Sequence, residues 1–568
     1  MSLIGALNVG QSALATAQAQ IQTTGNNIAN VQNPDYTREV ATDTEAFDQQ
    51  VSPGIFVGTG VDLTSVSRQI DTALQSRLQS ATSDSSAAST ASQWLGQVQS
   101  AYNALSGDDI SANMTSFFSA WSNLANNPQD EGQRAVVLQD GAQLAQQFQG
   151  VRSALTTLGS NVNSQITSLA QQANSLAGEI ANLNGQIVSA QGGTGGTANQ
   201  LLDQRDADVT QLSQLMNVQT VQQPNGVVNV YVGSEPLVMN AQSMGITTAQ
   251  STTNGTTTQG LPVTSLVFQN NGGNMNVTSG QLGALMSVQQ QINSNIDQVD
   301  TLAHNVINQV NQIHSSGQGL EGVTSVTATN SVSDATAALD STQAGLKYTP
   351  VNGSFVIHVT QGSSGLDTST LVKVSLGSSG STSLNDLAAS LNAISGVSAT
   401  VTDGKLTISS TDPDATISFS QDSSGVLADL GINTFFTGSD ASNIAMNQTL
   451  TGQPDLLAAA QNGDPDDNSN ALALANLENS SVPELGGSSL QQNYQSIINN
   501  IGASTANAQT NATATQDVTD TLQSQQSSLS GVSLDEETMN LMQQQQAYQG
   551  AARLITTISA MMQTLIAM

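Results

Sequence analysis

The sequence predicts a mainly α protein with β-rich insertions: N- and C-terminal helices paired as a coiled coil, a bundle of long helices, and inserted β and α+β domains. Three observations carry that reading. Apolar residues repeat every seven positions at both ends of the chain, the same repeat returns in two long interior stretches, and two regions between them give up the helical period for β-branched residues and turns.

At the N-terminus Leu7, Leu14, Ile21 and Ile28 fall at a positions, with Leu3, Gly10, Ala17, Thr24 and Val31 between them at d. This seam is narrow and its d residues are small. At the other end Leu541, Tyr548, Ile555 and Met562 take the a positions and Ala551, Ile558 and Leu565 the d positions. A seam needs a partner of similar length, and each terminus supplies one for the other. Shorter helical stretches surround Trp94 to Leu105 and Met114 to Leu124, and Asn126-Asn127-Pro128 is a stop signal. The interior heptads carry Leu155, Val162, Leu169, Leu176 and Leu183, then Leu285, Ile292, Val299, Val306 and Ile313. Each is long enough for ~45 Å of helix. A last helical zone runs from Leu472 through Tyr494 and Ile501 to about Leu529.

The first β-rich region begins at Val218, where Val227 to Val232 follow the turn Pro224-Asn225-Gly226, and it ends near Leu282. The second occupies about 321 to 445, with strands at Phe355 to Val359, Leu371 to Leu376, Val397 to Val401 and Lys405 to Ser409. Ser383 opens a short helix from Leu384 to Ile394, and Asp403-Gly404 marks a hairpin. Nesting these elements gives four units. Residues 1–70 plus 525–568 form the terminal coiled coil, 71–217 plus 283–320 plus 451–524 the bundle, 218–282 a small β insert, and 321–450 an outer α+β insert.

Composition narrows the function. Ten basic against 42 acidic residues leave a net charge of −32, and no Lys or Arg lies between Arg205 and Lys347 or between Lys405 and Arg553. Nucleic acid and anionic membranes are therefore not expected partners, because no basic patch exists to displace phosphate counterions. The chain has no cysteine, which excludes disulfides and thiolate chemistry. Its first twenty residues lack the basic and apolar regions of a cleavable secretory signal, and no run reaches the ~18 apolar residues of a membrane span.

Candidate chemistry is sparse. Gly317-Gln318-Gly319-Leu320-Glu321-Gly322 has dinucleotide-loop spacing but follows a helix instead of a strand, so it reads as a helix-terminating loop. His304 and His314 are too far apart in register to share a helical face, and His358 stands alone in a strand. Asp464-Pro465-Asp466-Asp467-Asn468 begins like a calcium loop, but Ser469 and Ala475 hold the positions that need Gly and Glu. It is expected instead to cap a helix starting near Ala471. Asp203, Asp206 and Asp208 around Arg205 read as local ion pairing and helix N-terminal charge. A surface hydrolase would have to draw on Asp367, Asp412, Asp414 and His358, which show no recognisable spacing. No catalytic residue, metal or cofactor is expected.

Both ends carry a familiar signature. Asn26-Asn27-Ile28-Ala29-Asn30 followed by Asn33-Pro34-Asp35-Tyr36-Thr37-Arg38, and Gly531 to Glu537 through Leu541, Gln545, Tyr548, Ala551-Ala552-Arg553 and Ile555, resemble the paired terminal signatures of bacterial flagellar rod, hook and hook-associated axial proteins. Leu201-Leu202-Asp203-Gln204-Arg205-Asp206, Phe117-Phe118 with Trp121 and Leu124 to Pro128, and Gly463-Asp464 with Asn468 to Ala471 resemble the hook-associated members found at the hook-filament junction. Residues 321 to 450 are similar to their variable inserts, with Leu427-Ala428-Asp429-Leu430-Gly431-Ile432 echoing a shared closing motif.

The resemblance implies a secreted structural adaptor that leaves the cell unfolded through the flagellar type III export channel. It would form a ring of its own copies between the hook protein and a second hook-associated protein, after a cytoplasmic export chaperone releases its C-terminal helix. The expected assembly interface is Leu7, Leu14, Ile21, Asn26, Asn27, Ile28, Asn30, Leu541, Tyr548, Ala551, Ile555, Ile558, Met562 and Leu565. A hook, rod or flagellin-type subunit that polymerises without limit is the alternative within the family.

Overall fold

The N-terminal heptads fold as one helix, α1 (Leu3–Ala29), in the computed structural model, which describes residues 3–102, 109–194, 198–251, 261–362, 364–377 and 380–567. A β arm follows: β1 (Glu39–Glu45), β2 (Gln49–Ser52), β3 (Ile55–Val57) and β4 (Val61–Arg68), with β1 antiparallel to β4 and β2 to β3. The sequence pattern gave no sign of strands here. Most of the arm's residues are exposed, so the alternation that marks a half-buried strand is missing.

Four helices come next: α2 (Thr72–Ala101), α3 (Ile110–Asn126), α4 (Glu131–Thr194) and α5 (Asn199–Leu215). The Ser- and Ala-rich first part of α2 has no apolar period and was not anticipated, and the stretch expected to run to Leu105 ends outside the described residues. Helix α4 takes in the predicted heptads and a further 24 residues before Leu155, for 64 residues in all. Asp109 caps α3 by accepting from Ala112 N at 2.8 Å, and Asn127 ends it where the stop was read.

The first insert contains β5 (Val218–Gln222), β6 (Val228–Val232), β7 (Glu235–Met239), β8 (Gln242–Ser243), β9 (Ile246–Ser251) and β10 (Val263–Phe268). They form a meander in the order β5-β6-β7-β8 and a separate β9-β10 hairpin. The second long heptad helix, α6 (Gly280–Ser315), leads to the second insert. Its elements are β11 (Ser325–Thr327), β12 (Gly353–Gln361), β13 (Leu366–Val374), α7 (Leu384–Asn392), β14 (Val397–Thr402), β15 (Lys405–Ser410), β16 (Ala415–Ser420) and α8 (Val426–Leu430). Two three-stranded sheets, β13-β12-β16 and β11-β15-β14, share a core with one face of α7, that of Leu384, Leu387, Ala388 and Leu391. Ser383 and Asp386 cap α7 reciprocally, and Asp403 and Gly404 turn the β14-β15 hairpin with φ of 52° and 72°. A Cβ on Gly404 would collide with the Val332 carbonyl, so that position requires glycine.

The chain returns through β17 (Phe436–Thr437), β18 (Ala445–Met446), α9 (Gln448–Gly452) and α10 (Ser469–Asn476) to two long helices, α11 (Leu490–Ser530) and α12 (Leu534–Ile566). Helices α3, α4, α6, α10 and α11 share one core with the strands of the first insert: Trp121, Leu144, Val162, Ile292, Val306 and Tyr494 lie in the same cluster as Val218, Val230 and Leu237. The second insert has its own core, including Phe355, Ile357, Leu387, Ile408, Leu427 and Ile432. That core stops at Ile432. Phe435, Phe436 and Ile444, placed in the outer unit by the 450 boundary, belong to the bundle, where Phe435 packs on Phe117 and Trp121 with ring centroids 5.2 and 5.8 Å apart.

Inside the second insert Asp429 is buried with one carboxylate oxygen unpartnered. Burial first, and then the nearby Asp422 carboxylate, push it up to about 8. Between pH 3.8 and about 8 the folded chain therefore holds a proton that the unfolded chain has released, so stability falls as pH rises through that window. Asp429→Asn should gain stability over the parent as pH rises from 5 to 8 in thermal unfolding, and a gap that stays constant across the range would count against this origin.

Candidate assembly interface

Helices α1 and α12 run antiparallel, with Asn27 opposite Glu537, Thr24 opposite Gln544 and Gly10 opposite Ile555. The small residues set their separation. Gly10, Thr16, Ala17, Thr23, Thr24 and Asn27 are buried, while the predicted seam residues Leu7, Leu14, Ile21 and Ile28 are only half-buried. A Cβ on Gly10 would lie 2.9 Å from Ile555 Cγ1, so the helices approach where a side chain is missing. On α12, Ala551 and Ile558 are buried and Leu541, Ile555 and Met562 half-buried, but Tyr548 and Leu565 are exposed.

The joint between this coil and the bundle is polar, and Asn27 is its centre. The Asn27 Nδ2 donates to the Glu39 carbonyl at 2.9 Å and to Glu537 Oε2 at 3.0 Å, and its Oδ1 accepts from the Glu39 N–H at 3.0 Å and the Tyr36 hydroxyl at 2.7 Å. This single amide satisfies the start of β1, the first turns of α12 and the intervening loop. Asn26 Nδ2 donates to Tyr36 and Glu39, and Asn30 Nδ2 to Asn26, which closes the helix end. Arg38 donates from Nε to Glu537 at 2.8 Å and from Nη2 to Glu536 at 2.9 Å. Burial, with Glu39, Asp203 and Glu537 beside it, holds the Tyr36 phenol above its ordinary value.

A second cluster continues into α5. Arg68, at the end of β4, donates from Nη1 to Asp203 at 2.8 Å and Asp206 at 2.9 Å, and Thr37 N donates to Asp203 at 3.3 Å. Buried Arg205 binds Asp206 and the Gly226 carbonyl. The local pairing expected for these carboxylates is thus only partly right. Asp203 serves a cation 135 residues away, α5 has no acidic residue in its first turn, and Asp208 is pushed up to about 6 by burial and then by Glu179 and Asp35. Sequence reasoning gave Tyr36, Arg38 and Glu537 as signature residues without a role, and it did not single out Arg68.

The other candidates resolve as structural. Gly317, Gly319 and Gly322 end α6 where added Cβ atoms would meet Asn470 or the backbone at Asp455, Ala460 and Ile417. His314 is fully buried, with Nδ1 donating to the Asn433 carbonyl at 2.8 Å and Nε2 accepting from Ala458 N at 3.1 Å; burial above all pushes it down to about 4. His304 stacks on Tyr348 and donates to the Ser439 carbonyl. The acidic loop meets the start of the helix through Asp467. Asp467 accepts from Ser469, Gln461 and Asn462, and the helix starts at Ser469.

His358 bridges Asp367 at 3.2 Å and Ser420 at 2.8 Å across three strands, an order of groups seen in nucleophilic catalysis. Ser420 is only 1% exposed, so no substrate carbonyl reaches its hydroxyl. Asp412 and Asp414 lie together in the turn before β16, the former accepting from the latter's N–H. Among the described residues no group of three or more His, Asp or Glu side chains is placed to hold a metal ion, and no helix is long and apolar enough to cross a membrane.

Comparison with known proteins agrees with this geometry. Residues 95–327 match the helical domain of flagellar hook-associated protein FlgK, residues 7–36 the flagella basal body rod protein family, and residues 523–568 the C-terminal region of the FlgEFG basal body rod proteins. Over 99% of both chains the sequence is 25% identical to flagellar hook-associated protein 1 of Escherichia coli strain K12 and 26% identical to that of Salmonella typhimurium. The flagellar hook junction protein FlgK from Burkholderia pseudomallei, at 19% identity and a TM-score of 0.51, shares the fold over 80% of this chain and 100% of that one.

The joint stands or falls on Arg38. Glu537 is 2% exposed, and removing its cation leaves a buried charge, at a cost of ~3–5 kcal/mol where no relaxation follows. Arg38→Ala should release hydrogen-exchange protection in residues 534–545 and around Asn27 while leaving α4 and α6 unchanged. Equal loss everywhere would show that the joint is not a separate unit.

Proposed function

This chain belongs to the flagellar hook-associated protein 1 family, the hook-associated junction proteins of the flagellum, and from that premise we propose that it acts by assembling a ring through its terminal helices, without catalysing a reaction. The observation that carries the ring reading is the apolar surface of α12 that α1 leaves exposed. Met539, Met542, Leu554, Met561, Leu565 and Ile566 are all exposed on α12, although α1 already covers its inner face. Neighbouring copies supply the missing burial against the exposed and half-buried seam residues between Leu7 and Ile28 and between Leu541 and Leu565, while Asn27 and its partners hold the helix pair together within one chain.

One side of the ring meets the hook protein and the other a second hook-associated protein. Before export through the type III channel, a cytoplasmic chaperone covers α12, which carries the largest apolar face of the termini. The protein is then secreted to the hook-filament junction, and with a charge of −32 it has neither nucleic acid nor membrane as a partner. We read the organisation as the terminal coil, a bundle whose core takes in the strands of residues 218–282, and an outer insert whose core ends at Ile432.

A strain lacking this chain should make hooks without filaments and shed flagellin into the medium, as seen by electron microscopy. Filaments of normal length would refute the junction role, and purified chain that grows long fibres would favour the polymerising alternative.

Removing residues 323–432 should be tolerated better than removing the last 28 residues. The insert's core is separate, and its two ends meet where Asn433 Nδ2 donates to the Gly317 carbonyl at 2.9 Å. Motility of the two truncated strains decides this, and the reverse ranking would overturn the nested organisation.

A further inference from the structure

The tip of the β arm is the most exposed apolar feature outside the coil. Phe47 is 97% exposed, and Val51, Ile55 and Phe56 are all more than half exposed. The tip also carries Glu45 and Asp48, whose carboxylate oxygens both lie about 4 Å from where a Cβ on Gly58 would sit, and residues 45–60 include no Lys or Arg. No described residue of its own chain covers Phe47. A bare aromatic hairpin with an acidic rim calls for an apolar surface that holds a cation.

The terminal module has such a surface on α12, level with the base of the tip. The base of the tip is fixed on α1, where Val61 N donates to Ser12 Oγ at 3.3 Å and a Cβ on Gly60 would lie 3.3 Å from Val9 Cα. That level of α1 faces Leu554 and Ile555 of α12, the two residues nearest a Cβ on Gly10. At this level of α12, Arg553 and Leu554 are exposed, with Met561 two turns further on. Three cations occur in residues 1–70 and 525–568. Arg38 is held by Glu536 and Glu537 and Arg68 by Asp203 and Asp206, while no salt bridge engages Arg553 among the described residues.

We propose that the β2-β3 tip of one subunit packs on the exposed flank of the next subunit's α12, setting Phe47 and Phe56 on Leu554 and Met561 and Asp48 against Arg553. This rests on the ring reading and gives it a direction. The tip lies on α1 and the receiving surface on α12, so the contact is head-to-tail. Such a contact generates a ring when the rotation closes, whereas a two-fold dimer would need one self-complementary patch.

The absence of cysteine makes the test direct. Phe47→Cys combined with Met561→Cys, in a strain without the parent chain, should give disulfide-linked dimers and higher multimers when purified flagella are oxidised mildly, and neither single variant should give a ladder. Arg553→Asp should reduce filament attachment, and adding Asp48→Arg should restore it. A double-cysteine chain that sits at the junction but stays monomeric on oxidation, free or internally bridged, overturns the contact, as does a charge exchange without rescue. Finding the chain along the whole filament would refute the ring reading instead, whatever the cross-link shows.

Discussion

The amide of Asn27 is the contact from which the rest of the molecule takes its orientation. All four of its hydrogen bonds are made inside the protein, to Glu39, Tyr36 and a Glu537 that is 510 residues away in sequence. A seam of Gly, Ala and Thr lets two helices approach closely, but such smooth surfaces also slide. A buried polar group with every partner fixed accepts only one register, because any slip leaves donors and acceptors unpaired. Arg38 and Glu537 add charge at the same point. The desolvation of that pair makes it a weak source of net stability, and its consequence is geometric specificity. Through Thr37 and Arg68 the same network reaches Asp203 and Asp206 on α5, so the angle between coil and bundle is set by directional bonds. An adaptor between two assemblies needs that angle more than it needs extra stability.

The bundle copes with few charges and fewer aromatics by using them in specific places. Where α2 lies along α11, contacts are small and polar: Ser85 donates to Gln516, and Thr519 and Thr505 donate to carbonyls of α2. The aromatic residues gather instead where the chain comes back from the second insert. Phe117, Trp121, Phe435, Phe436 and His314 form one packed group there, and Asn311 accepts from the N–H groups of both Phe435 and Phe436. Arg134 fixes the following loop through the carbonyls of Pro128 and Leu457. The first insert merges with the bundle core, and the second is hung from it by this return point. That difference is why one insert reads as removable and the other does not.

Much of this was legible in the sequence. Heptads located α1, α4, α6 and α12, and turn chemistry located the β14-β15 hairpin and the start of α7. The seven-residue pattern also put Gly10, Ala17 and Thr24 at d, and α1 buries them; what it did not show is that the large a residues stay half-buried, since close approach is governed by the smallest residue at the crossing. The β arm was missed because a strand exposed on both faces leaves no alternation to detect. The first part of α2 was missed because Ser and Ala at an interface look like solvent-facing residues. In the site, Asn26, Asn27 and Asn30 were found through a shared signature. Their pairings were not, because a contact such as Asn27 with Glu537 or Arg68 with Asp203 is a property of the closed chain and leaves no local pattern.

The two ends of the terminal coil are chemically unlike, and that asymmetry accounts for its role. Near the bundle, Asn27, Tyr36, Arg38, Glu39 and Glu537 satisfy one another, and little remains to offer a partner. Toward the chain termini the polar network is gone. Ile4, Met561, Leu565 and Ile566 are exposed, and the helices meet there through Gly10, Ile555 and the buried Ile558. Burial of small residues removes little apolar area, so the helix pair gains its geometry from within and much of its hydrophobic stabilisation only when further surface arrives. A coil locked at one end and unsaturated at the other suits a subunit whose orientation is set before assembly and whose stability is completed by it.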